Sequence, residues 1–99
     1  MELLNDTMND GSRNFILLPV GNTPPIRLLL RVITLWGAYP TAYIPSLSES
    51  WIEFRYKRHT FSINNQYGDF WFFVKDPSCS DELLFEVINH FKGVLSEIP

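Results

Sequence analysis

A chain of 99 residues, 45% hydrophobic and 19% charged, has room for one modest core and not for two, and its composition excludes a disordered or fibrous chain. A formal net charge of -3 offers no general attraction to nucleic acid or to an anionic membrane, and a single cysteine, Cys79, excludes an internal disulfide framework. The charge is uneven: residues 15–75 hold six cations and three anions, whereas residues 76–99 hold five anions and Lys92 alone as cation.

Residues 1–14 (MELLNDTMNDGSRN) are polar and read as a flexible N-terminal tail ahead of a single domain over 15–99. They lack the cationic stretch and apolar run of a secretory signal, and the longest apolar segment, 26–36, is too short to cross a bilayer and contains Arg27 and Arg31. A cytoplasmic protein with no membrane contact is expected. Phe15 to Val20 is apolar except for Pro19, so its periodicity does not separate a strand from an extended segment; if it is a strand, Pro19 favours an edge.

A helix is predicted from the Asn22-Thr23-Pro24-Pro25 start, with Thr23 as N-cap and Pro24 in the first turn, to about Gly37. Ile26, Leu29, Leu30, Ile33 and Trp36 fall at helical spacing, and Leu28, Val32 and Leu35 widen the apolar face, so burial on more than one side is expected. The two prolines and the serine cluster of residues 38–50 predict an irregular connection, with Tyr39, Tyr43, Ile44 and Leu47 sealing an end of the core.

The stretch 51–75, WIEFRYKRHTFSINNQYGDFWFFVK, holds nine of the fifteen aromatic residues and reads as three strands joined by two turns. With Lys57-Arg58 as a two-residue loop, Tyr56 pairs with His59, Phe54 with Phe61 and Ile52 with Ile63. Lys-Arg is a poor tight turn, which leaves room for a longer loop or a bulge. A four-residue loop over 65–68 sets Asn64 against Asp69, Ile63 against Phe70, Phe61 against Phe72 and His59 against Val74. After the break at 75–80, Ser78 or Ser80 caps a last helix whose Leu84, Val87, Ile88, Phe91 and Val94 or Leu95 form one stripe. The expected fold is α+β: an antiparallel meander sheet of three strands, or four if 15–20 joins it, with two helices packed on one face in the order α-β-β-β-α.

The same alternation places Trp51, Glu53, Arg55, Thr60, Ser62, Trp71 and Phe73 on the face turned away from the helices. Contiguous aromatics on such a face are covered by the N-terminal segment or mark a contact site. The expected function is a non-catalytic protein-interaction module, able to self-associate as a homodimer, that uses Trp51, Trp71 and Phe73 as anchors, Arg55 as a polar rim, and Thr60 and Ser62 between them.

Two alternatives come from other residues. The helix, three-strand, helix order over about 24–96, with Lys57-Arg58-His59 at a strand–strand loop, resembles the double-stranded-RNA-binding domain, which implies nucleic-acid contact through Lys57, Arg58 and Lys75. That family opens its second helix with lysines, whereas this chain has Ser80, Asp81 and Glu82 there. Cys79 before a helix N-terminus, with His59 near the same strand end, is the only candidate nucleophile, and the acidic neighbours Asp76, Asp81 and Glu82 oppose a thiolate. No ligand spacing for a metal, no phosphate loop and no cofactor motif is present in the sequence.

Overall fold

Alternating apolar residues build the predicted hairpin as read, and the computed structural model extends the sheet well beyond it. The structure describes residues 3–19, 24–44, 50–65 and 69–96. It contains β1 (Asp6–Thr7), β2 (Arg13–Pro19), α1 (Pro25–Thr34), β3 (Tyr39–Ile44), β4 (Trp51–Tyr56), β5 (His59–Asn64), β6 (Asp69–Val74) and α2 (Asp81–Ser96). The strands form a six-stranded sheet in the order β1-β2-β6-β5-β4-β3, every neighbouring pair antiparallel. The class is α+β, but the sheet has six strands where three or four were expected.

The additional strands come from segments whose patterns are short or irregular. Asp6–Thr7, within the expected tail, pairs with Arg13 and Asn14. Phe15 and its neighbours lie in β2, inside the sheet against β6; Pro19 is at the strand end, beyond the reach of β1, where a missing N–H costs least. The expected connection 38–50 holds β3, an edge strand that tolerates Pro40 because its outer side needs no partner and a bulge follows at 40–42. Residues 45–49, including Leu47, lie outside the described residues.

The β4–β5 register is Tyr56 to His59, Phe54 to Phe61 and Ile52 to Ile63, as the apolar parity requires. Lys57 and Arg58 make the two-residue loop with φ of 48° and 71°, so two non-glycine residues adopt the left-handed region. The β5–β6 register differs from expectation by two residues: Asn64 faces Trp71, Ile63 faces Phe72 and Phe61 faces Val74. A slip of two preserves which face each side chain occupies, so hydrophobic parity alone does not choose between the registers. Asp69 and Phe70 pair instead with Pro19 and Leu18 of β2.

The two helices lie on one face of the sheet. Five phenylalanines centre the core: Phe54 stacks on Phe61 at 5.3 Å, Phe72 meets Phe91 edge-on at 5.3 Å, and Phe15 sits against both Phe61 and Phe72. α2 buries Leu84, Val87, Ile88 and Phe91, and the Ser80 hydroxyl caps it by accepting from the Leu83 N–H at 3.3 Å. The side chains of Val94 and Leu95 lie outside the described residues.

α1 departs from its expected orientation. Its N-cap is Pro24, with Pro25 at the first helical position, and it ends at Thr34; Thr23 lies outside the described residues. Among the described side chains Leu28, Val32 and Leu35 are buried and Leu29 partly so, while Ile26, Leu30, Ile33 and Trp36 are exposed. Both sets repeat at helical spacing, so the side facing the sheet is decided by packing rather than by period.

Candidate functional site

Antiparallel pairing sets the outer face out in cross-strand rows. One row runs Leu17, Trp71, Asn64, Trp51, Ile44 across five strands, each residue the register partner of the next. The next runs Phe73, Ser62, Glu53, Ala42, and a third pairs Thr60, Arg55 and Tyr39. The first row is apolar except for its middle member, and the others are mostly polar.

The inner members of these rows, on β4, β5 and β6, floor an open groove of ≈ 640 Å³. Trp51, Trp71 and Phe73 supply the apolar lining, with Glu53, Ser62 and Asn64 between them. Met8, Asn9, Asp10 and Ser12, from the turn between β1 and β2, also line it. That turn is fixed locally: the Asp10 carboxylate accepts from the Ser12 hydroxyl at 2.7 Å and its N–H at 3.0 Å, and Gly11 adopts φ +89°. These bonds hold the Asp10 carboxyl below its ordinary pKa, the Ser12 hydroxyl bond being the main cause.

Five of the six expected contact residues converge on this groove: Trp51, Thr60, Ser62, Trp71 and Phe73. Phe73 is only 8% exposed and stacks on Trp71 with ring centroids 6.4 Å apart, so it is a floor residue rather than a projecting anchor. Arg55 shares the face but lies outside the groove, its guanidinium donating to the Thr60 hydroxyl at 2.9 Å and to the Arg58 carbonyl at 3.2 Å. Asn64, with parity matching Ser62 and Thr60, belongs to the site although its sequence setting suggests only a turn. It is buried, and its side-chain oxygen has no hydrogen-bond partner among the described residues.

The three candidate nucleic-acid residues do not form one patch. Lys57 reaches toward α2, its ammonium 2.8 Å from Glu86, which also accepts from the Tyr56 hydroxyl at 2.9 Å. This contact raises the Lys57 pKa and lowers that of Glu86. Lys75 lines the outer groove, on the other side of the sheet from Glu86 and α2. The element order also departs from that of the double-stranded-RNA-binding domain, because β1, β2 and β3 complete the sheet.

Cys79 is buried, and desolvation pushes its thiol up, with Asp76 adding to the effect. The two-residue shift of β6 also replaces the expected pairing of His59 with Val74 by Phe61 with Val74. Among the described residues no three His, Cys, Asp or Glu side chains are grouped to hold a metal ion, and no helix is long and apolar enough to cross a membrane. No protein-family model, curated protein or solved structure matches the chain.

Proposed function

We propose that this protein is a non-catalytic interaction module whose outer-face groove receives an extended segment of a protein partner. The observation that carries the reading is the Trp71–Asn64–Trp51 centre of the first row, flanked by Leu17 and Ile44, opening into a groove of mixed polarity. Two half-buried indoles give large contact area with little conformational freedom to lose. Asp10 and Glu53 set against Lys75 suit a peptide, which brings donors and acceptors of both kinds, better than a polyanion. The turn beside the row narrows the face to a groove, which suits a segment better than a second flat sheet. A cytoplasmic setting belongs to the same reading, supported by the single free thiol.

Selection from a displayed library of random peptides tests it, followed by titration of the enriched sequence by tryptophan fluorescence. Binding tighter than about 100 μM that weakens at least about tenfold in both Trp51→Ser and Trp71→Ser is expected. An enriched peptide indifferent to both variants, or no enrichment at all, overturns the reading. So does binding of a single-stranded oligonucleotide at the groove that falls steeply with salt.

A further inference from the structure

A second exposed apolar surface belongs to α1. Ile26, Leu30 and Ile33 line its outer side, and Trp36 follows just past its end; they are 44%, 56%, 59% and 93% exposed. Spacings of four and three residues keep the first three in one row along the helix. The opposite side already supplies Leu28, Val32 and Leu35 to the core, so the outer row contributes little to the fold of one chain.

We propose that a second copy of this chain packs on this row, α1 against α1 across a two-fold axis, making the protein a homodimer. The row is self-complementary. Reversal about a point between Leu30 and Ile33 sets Leu30 against the partner's Ile33, and brings Ile26 toward the end that carries the partner's Trp36. Such isologous contacts close on themselves and do not propagate.

The area also fits. At their exposures these four side chains present roughly 500 Å² per chain, so a symmetric pair buries roughly 1,000 Å² in total, about the threshold of a specific interface. Charge agrees with an antiparallel arrangement, because Arg27 in the first turn of one helix then lies near the C-terminal carbonyls of the other. Residues 24–44 contain no acidic side chain, so Arg27 and Arg31 find no carboxylate on the facing helix and the apolar row carries the contact. A lipid surface, the other occupant an apolar row beside Arg27 and Arg31 could take, is separated from a second copy by the vesicle measurement below.

The dimer does not depend on the outer groove. The helices lie on one face of the sheet and the groove on the other, so pairing through α1 leaves two grooves open and turned away from each other. Two tethered sites of this kind bind a bivalent partner more tightly than either alone.

Sedimentation velocity on the full chain, from about 1 μM to about 500 μM, tests the proposal. A monomer–dimer equilibrium within that range is expected, with the dissociation constant raised at least about 30-fold by Ile33→Glu or Leu30→Glu and unchanged by Trp71→Ser. Trp36→Ser, at a nearly fully exposed site, provides a variant whose fold is not at risk, and it is expected to weaken the dimer at least about threefold. A native chain that stays monomeric throughout, or a dimer that survives all three α1 substitutions, overturns the proposal. So does a dimer lost in Trp71→Ser, or a monomer that instead sediments with phosphatidylglycerol vesicles.

Discussion

The turn at Lys57-Arg58 shows how a residue poorly matched to its backbone is held in place by its neighbours. Both φ angles are positive, which a β-carbon opposes by roughly 1–2 kcal/mol per residue. Aligned strands, the Lys57–Glu86 ion pair and the Arg55 bond to the Arg58 carbonyl hold the loop nonetheless. Arg58→Gly keeps that carbonyl and removes the steric penalty, partly offset by the greater freedom of unfolded glycine. It is expected to stabilise the chain by about 0.5–1 kcal/mol, read as a rise in urea midpoint at constant m-value. Cys79 gives the second residue-scale prediction. With its thiol buried and its pKa raised by desolvation and Asp76, iodoacetamide should modify it at least about tenfold more slowly than a free thiol at pH 7.5, whereas a reactive nucleophile would be modified faster.

Among the elements, β2 ties the fold together, and its irregularity has a specific chemical support. A bulge between Asn14 and Ile16 interrupts its ladder with β6. The buried Asn14 amide spans the gap, donating to the Phe72 carbonyl at 2.9 Å and to the Ile16 carbonyl at 3.3 Å. Asn14→Ala withdraws these donors from a buried site and should cost about 1–3 kcal/mol in chemical denaturation. Phe91→Ala, which empties the place where α2 meets Phe54 and Phe72, should cost about 3–5 kcal/mol. These elements also mark what the sequence makes legible. The β4–β5 register and the α2 stripe follow from repeated apolar spacing, and so does the outer-face membership of Trp51, Thr60, Ser62, Trp71 and Phe73. β1 and β3 do not: one is two residues long, and the other carries a proline and a bulge, so neither displays a period. The exposed side of α1 is hidden for the opposite reason, since Ile26-Leu30-Ile33 and Leu28-Val32-Leu35 are equally periodic. Asn64 is missed because the same residue type serves turns and groove floors, and its place depends on the pairing of β5 with both β4 and β6.

For the whole molecule, acid should weaken the fold through carboxylates that join successive elements. Glu86 ties α2 to the β4–β5 turn, Asp10 shapes the turn between β1 and β2, and Asp76 shapes the link from β6 to α2 by accepting from the Ser78 hydroxyl and N–H. Each has a folded pKa below its ordinary value, for Glu86 first through the bond from Lys57 and for Asp10 and Asp76 first through the serine hydroxyls. A depressed folded pKa means that the unfolded chain takes up protons first as pH falls. The stabilisation is therefore complete above the ordinary values, 3.8 for the aspartates and 4.5 for Glu86, and is lost as pH drops through the lower folded values. The urea midpoint should stay level down to about pH 5.5 and decline by about pH 3. Glu86→Gln should lower the midpoint at neutral pH and flatten the early part of the decline, because only one of the three groups has then been removed from the titration. At the alkaline end the sign reverses. Lys57, raised chiefly by its bond to Glu86, and Tyr56, raised chiefly by burial, hold their protons longer in the folded chain, so the stability they contribute is lost as pH climbs through their raised values. Because Glu86 faces both groups, Glu86→Gln should also soften the alkaline decline, and a variant that altered neither limb would show that the Tyr56–Lys57–Glu86 contact does not join α2 to the hairpin in solution.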